Sequence, residues 1–468
     1  MAIIDGDDTN NSLTGTADDD ILHGLRGDDT LNGANGDDKV YGDEGNDVLM
    51  GGQGMDLLDG GPGDDMMAGG IDDDSYIVDS PGDLVFESFE APFKGVDTIT
   101  SSVSYYLPVN VENLTLAPGA GDIYGVGTGD NNQLIGNEGN NLLIGGEGVD
   151  YINGGAGSDA IFGGSSFDFL YGGSGIDYIA AGDGPDQVYG DTGPDAIYGE
   201  DGDDMLSGDG GGGAPNDFQT DILVGGNGND RLYGDSGLGD YDLLDGGPGN
   251  DTYYVDTPDD LTFEAVNEGI DTIVANIVGA GYYLYANVEN LTLEGSTPYG
   301  VGNELANILT GSDAANWLLG GAGDDVLNGK GGNDVLFGEG GSDTFVFEHG
   351  TGGDVIGDFV AGTDKINLTA FGFASFAQVQ AHMVENGGTT AIDLGAGDFI
   401  VLNGVPNSAL HANDFILANA SSGAPALTLD TVAALPAPSY EAYDAVHQFD
   451  GPILASHYDW GATADIFL

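Results

Sequence analysis

The nine residues GGQGMDLLD, from Gly51 to Asp59, contain the pattern that decides the fold of this chain. The first six are rich in glycine and end on an aspartate, Asp56, a composition typical of a tight turn. The last three place an apolar residue, Leu58, in the middle of a short strand. One unit therefore predicts a turn followed by a strand, and two units predict one coil of a solenoid whose turns stack along its edges.

The nine-residue spacing continues through three arrays. In the first array an aspartate recurs at every ninth position from Asp20 to Asp74, and an apolar residue follows two positions later. The second array starts at Asp150, is interrupted by a glycine-rich insertion near 208–215, and then resumes, whereas the third is short and starts at Asp325. This periodicity predicts an all-β solenoid of nonapeptide repeats.

Two related segments separate the arrays, and both end in VENLTL, once at Val111–Leu116 and again at Val288–Leu293. Their alternating β-branched and aromatic residues predict strands that continue the same solenoid. After the third array the pattern predicts a compact β-rich cap with a helix around Phe376 to Glu385. The predicted segments are 1–75, first array; 76–122, β spacer; 123–252, second array; 253–298, β spacer; 299–343, third array; 344–417, cap; 418–438, linker; and 439–468, tail.

The charge of the chain excludes several classes of protein. Lysine and arginine together number 6 against 80 acidic residues, which gives a formal net charge of −74. Nucleic acids and anionic lipids require clustered cations, so we expect neither as a partner. No apolar run approaches the length of a membrane span, and the start, MAIIDGDDTNNSL, lacks the features of a secretory signal peptide. The chain has no cysteine, which excludes disulfides and thiolate metal sites.

The aspartates of the arrays are candidate metal ligands. Stacking at strand spacing, about 4.8 Å, brings the aspartate of one unit close to that of the unit after next. Two such charges repel by roughly 3 kcal/mol at an effective dielectric constant near 20, and a divalent cation turns that repulsion into attraction. Hard oxygen ligands without histidine or cysteine favour calcium over zinc or copper. The candidate ligands are Asp20, Asp29, Asp38, Asp47, Asp56, Asp65, Asp150, Asp159, Asp168, Asp177, Asp186, Asp195, Asp204, Asp230, Asp242, Asp251, Asp325, Asp334 and Asp343.

The repeated GGxGxDxUx units resemble the RTX, or haemolysin-type, calcium-binding repeats. That resemblance implies a parallel β-roll in which the sixth-position aspartates bind many calcium ions. Residues 344–417 resemble the C-terminal domain of the serralysin proteases through DVIGDFVAGTDKINL and SALHANDFIL. The serralysin resemblance implies a type I secretion exporter as a partner, which reads a C-terminal signal of an acid followed by apolar residues. Two segments fit that signal, Asp414–Leu417 and Asp465–Leu468.

Asparagine replaces aspartate at the sixth position in four turns. An amide offers one neutral acceptor in place of a carboxylate, so we expect weak calcium sites or none there. These turns contain Asn132, Asn141, Asn307 and Asn316.

We expect no catalytic site in this chain. The 6 histidines include no pair spaced as in HExxH, which excludes the zinc site of the serralysins. The string GDSG at 234–237 resembles a serine-protease nucleophile loop but lies inside a repeat array. We therefore predict a secreted, non-catalytic component of a surface, matrix or layer, with self-association left open. The alternatives are a calcium-dependent targeting module of a protease or polysaccharide-modifying system, and an adhesin that binds cell-surface polysaccharide through its spacer tyrosines.

Overall fold

We describe residues 1–87, 95–210, 219–234 and 241–418 in a computed structural model of the chain. The chain divides into two units, Met1–Gly423 and Ala424–Leu468. The second unit lies outside the described residues, as do the predicted linker from residue 419 onward, the tail with its candidate signal Asp465–Leu468, and Ser236 of the GDSG string. Among the described residues, no helix is long and apolar enough to cross a membrane.

Strands of alternate nine-residue units lie on the two faces of a parallel β-solenoid. Every second unit pairs in register on the same face, so that Leu22 lies beside Val40, and Leu31 beside Leu49. One face is a single 21-stranded sheet. Its strands are Ile3–Asp5, Ile21–His23, Lys39–Tyr41, Leu57–Asp59, Ser75–Val78, Thr98–Ser101, Asn113–Leu116, Gln133–Ile135, Tyr151–Ala156, Phe169–Ser174, Gln187–Thr192, Met205–Ser207, Arg231–Tyr233, Thr252–Val255, Thr272–Ala275, Asn290–Leu293, Ile308–Thr310, Val326–Asn328, Thr344–Val346, Lys365–Asn367 and Phe415–Ile416.

The opposite face is divided into three sheets. The first has five strands: Ser12–Thr14, Thr30–Asn35, Val48–Gln53, Met66–Ile71 and Leu84–Phe86. The second has nine: Tyr105–Tyr106, Tyr124–Val126, Leu142–Glu147, Ala160–Ser165, Tyr178–Asp183, Ala196–Asp201, Ile222–Asn227, Leu243–Asp245 and Leu261–Phe263. The third has eight: Tyr282–Tyr283, Tyr299–Val301, Trp317–Ala322, Val335–Gly340, Gly353–Ile356, Asp398–Leu402, Thr389–Gly395 and Met383–Asn386.

The middle side chain of each repeat strand forms the core. Leu22, Leu31, Leu49 and Leu58 are fully buried between the two faces, and the row continues through the arrays. Burial of one such side chain stabilises the fold by about 2 kcal/mol. Each coil is thin, so the core contributes little per residue, and the turns must contribute as well.

The spacers are strands of the same solenoid, as predicted, and the long sheet runs through them. Only the opposite face breaks there, between Leu84–Phe86 and Tyr105–Tyr106 and again at the second spacer. At the first break the hydroxyl of Tyr105 donates to the carbonyl of Asp83, 3.3 Å away, and at the second Tyr282 donates to Asp260, 3.1 Å away. A buried tyrosine hydroxyl thus satisfies the carbonyl that the interrupted ladder leaves open.

The cap departs from the prediction at one point. A helix spans Phe376–Ala381, but the expected continuation to Glu385 is wrong, because Met383–Asn386 is a strand that pairs antiparallel with Thr389–Gly395. The two-residue turn between them, Gly387 and Gly388, has φ values of 61° and 89°, as a tight hairpin requires. Short 3-10 helices span Thr369–Phe371, Asn407–Ala409 and Ala412–Asp414.

Candidate metal sites

The array aspartates form two hydrogen-bonded rows, one along each edge of the roll. The backbone N–H of Asp150 donates to Oδ1 of Asp168, and that of Asp168 donates to Oδ1 of Asp186, both over 2.7 Å. On the other edge Asp159 donates in the same way to Asp177. Every predicted ligand is at most 2% exposed. The structure therefore places the predicted aspartates in the stacked turns, two units apart along each edge.

The surroundings of the second carboxylate oxygen, Oδ2, point to a cation as its partner. In most of the predicted ligands this atom is buried and accepts no hydrogen bond from the residues that the structure describes. A buried carboxylate oxygen without a partner is costly, and a cation in contact with it removes that cost. These oxygens belong to Asp29, Asp38, Asp47, Asp56, Asp65, Asp150, Asp159, Asp168, Asp177, Asp186, Asp204, Asp230, Asp251, Asp325 and Asp334.

The first glycine of each unit keeps open the space that Oδ2 faces. A Cβ atom at Gly163 would lie 2.6 Å from Oδ2 of Asp168 and 2.5 Å from the carbonyl oxygen of Ala181. A carboxylate from one turn and a carbonyl from the next turn along the same edge therefore line the same small cradle. Such a set of hard oxygen donors fits calcium, because this ion accepts carboxylate and backbone oxygens in flexible geometry.

The second residue of the unit distinguishes two classes of turn. In turns with an unpartnered Oδ2 it has a positive φ, 125° at Gly52 and 91° even at Ala34. In the asparagine turns the equivalent residue lies outside the positive-φ region, and its N–H donates to the asparagine instead. Thr128 donates in this way to Oδ1 of Asn132 over 2.7 Å, and Asn303 to Asn307 over 2.8 Å.

The asparagine side chain also satisfies the preceding turn. Nδ2 of Asn132 donates to the carbonyls of Val111 and Glu112 at 3.3 and 3.2 Å. The asparagine side chain thus forms hydrogen bonds with protein groups. In a carboxylate turn, a cation would have to make the equivalent contacts. This arrangement supports the expectation of weak sites or none at these turns, which stays a prediction.

Asp20 belongs with the asparagine turns although it was predicted to be a ligand. Its Oδ2 accepts from the N–H and the hydroxyl of Thr16, at 2.6 and 2.7 Å. Its Oδ1 accepts from the N–H of Ala2 at 2.5 Å. Both oxygens of Asp20 thus accept hydrogen bonds from the protein, whereas Oδ2 of Asp29 in the next unit accepts none from the described residues.

Burial shifts the acidity of these carboxyl groups. It raises the pKa of Asp168 to about 7 and that of Asp186 to about 8, and the hydrogen bond from the N–H of the preceding turn opposes the shift in both. The cause is loss of water around the charged form. Without a cation, the buried rows therefore hold protons more tightly than exposed aspartates do.

Within the described ranges, two acidic clusters that the sequence analysis missed lie where an array meets a spacer. In each, three carboxylates offer ligand atoms within 4.8 Å of one another. The glutamate stands at the position of a unit's first glycine and not at that of its aspartate, so a search for spaced aspartates does not find it. The internal duplication that relates the two spacers also relates the first two members of each cluster and could have revealed them. The clusters are Asp74, Glu87 and Asp97, and Asp251, Glu264 and Asp271.

Comparisons with known proteins agree with this geometry. The model of the RTX calcium-binding nonapeptide repeat family matches residues 5–40, 41–76, 126–161, 154–188, 162–196, 180–213, 236–257 and 301–346. Two proteins of Rhizobium meliloti (strain 1021), the endo-1,3-1,4-beta-glycanases EglC and ExsH, are each 43% identical over 155 residues. Each alignment spans 33% of this chain and 30% of the glycanase.

Two similar solved structures each cover a part of the chain. The AlgE6R3 subunit of the Azotobacter vinelandii mannuronan C5-epimerase is 27% identical and covers 34% of this chain and 95% of its own, with a TM-score of 0.20. The extracellular lipase LipA of Serratia marcescens is 19% identical and covers 52% of this chain and 40% of its own, with a TM-score of 0.19. The likeness of residues 344–417 to the serralysins stays a prediction. The repeat matches in all three arrays, together with the two-edged parallel roll, establish that the chain belongs to the RTX calcium-binding repeat proteins.

Proposed function

We propose that this chain folds outside the cell when its turns bind calcium, and that the folded roll is a non-catalytic component of a surface, matrix or layer. The observation that carries the proposal is the row of buried Oδ2 atoms along both edges that accept no hydrogen bond from the described residues. RTX nonapeptide repeats bind calcium. With a net charge of −74, the chain opposes its own compaction until cations neutralise the rows.

Calcium binding also links folding to export. A low free calcium concentration in the cytosol would keep the chain unfolded for passage through a type I exporter, and external calcium would then trap the folded form. One candidate signal is part of the fold: Phe415–Ile416 is the last strand of the long sheet, and Oδ1 of the buried Asp414 accepts from the N–H of Gly362 at 2.8 Å. Because the chain would be unfolded during export, we propose that the exporter reads one of the two candidate segments, Asp414–Leu417 or Asp465–Leu468.

Circular dichroism and small-angle scattering test the folding step. The full chain in excess chelator should be expanded and poor in strand, and millimolar calcium should compact it cooperatively. Magnesium at the same concentration is the control, because it requires near-ideal octahedral geometry and should be less effective. A strand content that does not change on chelation would contradict the proposal. Deletion of 465–468 decides between the two candidate signals: loss of secretion would place the signal there, and continued secretion would place it upstream, at Asp414–Leu417.

A second candidate function, binding of polysaccharide, is favoured by rows of aromatic side chains on the sheet faces. Tyr171 stacks on Tyr189 with ring centroids 5.1 Å apart, and Tyr233 stacks on Tyr254 at 4.3 Å with planes 4° apart. The second pair borders a hollow of about 210 Å³ that Asn276 also lines. Flat aromatic faces beside an amide suit the apolar faces and hydroxyls of a sugar chain, and the similarity to two proteins named endo-1,3-1,4-beta-glycanases points to a β-glucan.

A mixed-linkage β-1,3-1,4-glucan is the probe for this candidate. In calcium, the wild-type chain should bind it, and Tyr233→Ala/Tyr254→Ala should weaken binding at least tenfold. Tyr41→Ala is the matched control, since Tyr41 stacks on His23 away from the hollow and should leave binding unchanged. Equal binding by all three proteins would contradict this function. Hydrolysis of the glucan by the chain would contradict the non-catalytic role.

A further inference from the structure

The two acidic clusters at the array-to-spacer junctions have a geometry that the ordinary turns lack. The second junction, formed by Asp251, Glu264 and Asp271, serves as the example for the two clusters. Glu264 lies two repeat units after Gly246 and so occupies the position where an ordinary unit has its first glycine. In ordinary turns that position contributes a backbone carbonyl to the cradle, whereas here a glutamate side chain reaches it.

A tyrosine holds this glutamate in place. Tyr253 replaces the usual leucine or isoleucine of the core, and its hydroxyl accepts from the N–H of Gly246 at 2.7 Å. The same hydroxyl donates to Oε1 of Glu264. The first junction repeats the arrangement, with the hydroxyl of Tyr76 hydrogen-bonded to Glu87.

An unpartnered buried oxygen faces each cluster. Asp251 is 1% exposed, and its Oδ2 accepts no hydrogen bond from the described residues. A Cβ atom at Gly246 would lie 2.5 Å from this Oδ2 and 2.5 Å from the hydroxyl of Tyr253, so both atoms face the same point. Oε2 of Glu264 is likewise buried without a donor among the described residues. Asp74 at the first junction is also 1% exposed, and its Oδ2 has no donor in the described part of the chain.

The titratable side chains clustered at this point are the carboxyl groups of Asp251, Glu264 and Asp271. The hydroxyl of Tyr253 donates its proton to Oε1 of Glu264. One hydroxyl proton does not offset three carboxylates within 4.8 Å. A hard divalent cation would satisfy the orphan oxygens and the repulsion together.

We propose that each junction binds one calcium ion in a site closed by a glutamate side chain, and that this ion fastens the start of the spacer to the end of the array. The inference rests on the proposed function only for the kind of ion. Three charged ligands should hold calcium more tightly than an ordinary turn does, because affinity rises with ligand charge. The two junction ions should therefore be among the last to leave on chelation.

Native mass spectrometry of the calcium-loaded full chain tests the proposal, since it counts single ions. Glu87→Gln/Glu264→Gln keeps the shape and the hydrogen bond to tyrosine but removes two charges, and it should carry two ions fewer than wild type. Each single variant should lose one. Glu147→Gln, at an exposed strand end of the second array, is the matched control and should lose none.

The outcomes separate this inference from the proposed function. A wild-type chain that binds many ions while the double variant binds as many would overturn the junction sites alone. A wild-type chain that binds no calcium would overturn both. If the variants do not fold, anomalous scattering from crystals of the calcium-loaded wild type decides: a peak among Asp251, Glu264 and Asp271 supports the site, and its absence there overturns it.

Discussion

The backbone N–H of Asp168 donates to Oδ1 of Asp186 over 2.7 Å, so two residues that are two repeat units apart in the sequence are neighbours on one edge of the roll. Asp177, midway between them in the sequence, lies on the other edge, where its N–H donates to Oδ1 of Asp195. Neighbouring units in the sequence thus lie on opposite edges, and every second unit lies on the same edge. The energetic coupling between aspartates should follow the edge.

Double-mutant cycles measure that coupling. Asp168→Asn and Asp186→Asn keep an acceptor oxygen but remove the charge, and each should lower calcium affinity and thermal stability. We expect a coupling energy of about 0.5 to 3 kcal/mol between them, as for residues in one network. Asp168→Asn with Asp177→Asn should be additive to within about 0.5 kcal/mol. Equal coupling in both cycles would contradict the two-edged geometry even if the chain binds calcium.

Filling one cradle should weaken calcium binding without a change of charge. In Gly163→Ala the new Cβ would crowd Oδ2 of Asp168 and the carbonyl of Ala181, at a cost of about 1 to 3 kcal/mol. We expect a several-fold higher calcium midpoint by circular dichroism. Gly129→Ala is the control, because its nearest neighbour would be Oε2 of Glu147 at 3.7 Å. A midpoint that rises equally in both variants would argue against the cradle as the site.

The asparagine turns should affect stability more than ion count. Asn132→Ala removes two hydrogen bonds donated to the preceding turn and two accepted from Thr128, which should cost about 1 to 3 kcal/mol of unfolding free energy. The number of ions bound at saturation should not change. Asp168→Ala, in contrast, should lower that number. Loss of an ion from the Asn132→Ala variant would mean that the asparagine turns bind calcium after all.

The sequence predicted the roll because its period is strict. A unit of nine residues with one large apolar side chain, as at Leu58, allows one register, since a shift by one residue would expose the core row. The cap had no such period. There the Gly387-Gly388 pair indicates a hairpin. The predicted helix was too long because its last residues belong to the first strand of that hairpin, Met383–Asn386.

The candidate sites could be predicted only in part. Asp20 and Asp29 look alike in the sequence, yet Asp20 is satisfied by Thr16, whereas Leu25 before Asp29 adopts a φ of 77° and leaves Oδ2 open. The second residue of the turn could have separated them, because threonine is β-branched, disfavours a positive φ and carries a hydroxyl that donates to Asp20. The junction glutamates were missed because the repeat pattern predicts a ligand only at the sixth position of a unit. Glu87 and Glu264 lie in the spacers, at the position of a unit's first glycine.

The pH dependence of the metal-free chain should reveal the buried rows. Burial raises the pKa of Asp186 from 3.8 to about 8, whereas in the unfolded chain the group titrates near 3.8. The folded form therefore binds the proton more tightly, so its stability rises as the pH falls from 8 towards 4 and is lost as the pH rises through the folded value.

Calcium-stripped protein in metal-free buffer should accordingly gain strand content when the pH is lowered from 9 to 5, followed by circular dichroism. With calcium present the pH dependence has the opposite sign, because protons compete with the ion for the same oxygens. The calcium concentration at the folding midpoint should therefore rise as the pH falls below 8. Asp168→Asn/Asp186→Asn removes two of the titrating groups and should show a smaller change in both experiments. A stripped chain that loses strand on acidification would mean that the carboxyl rows are not buried without calcium.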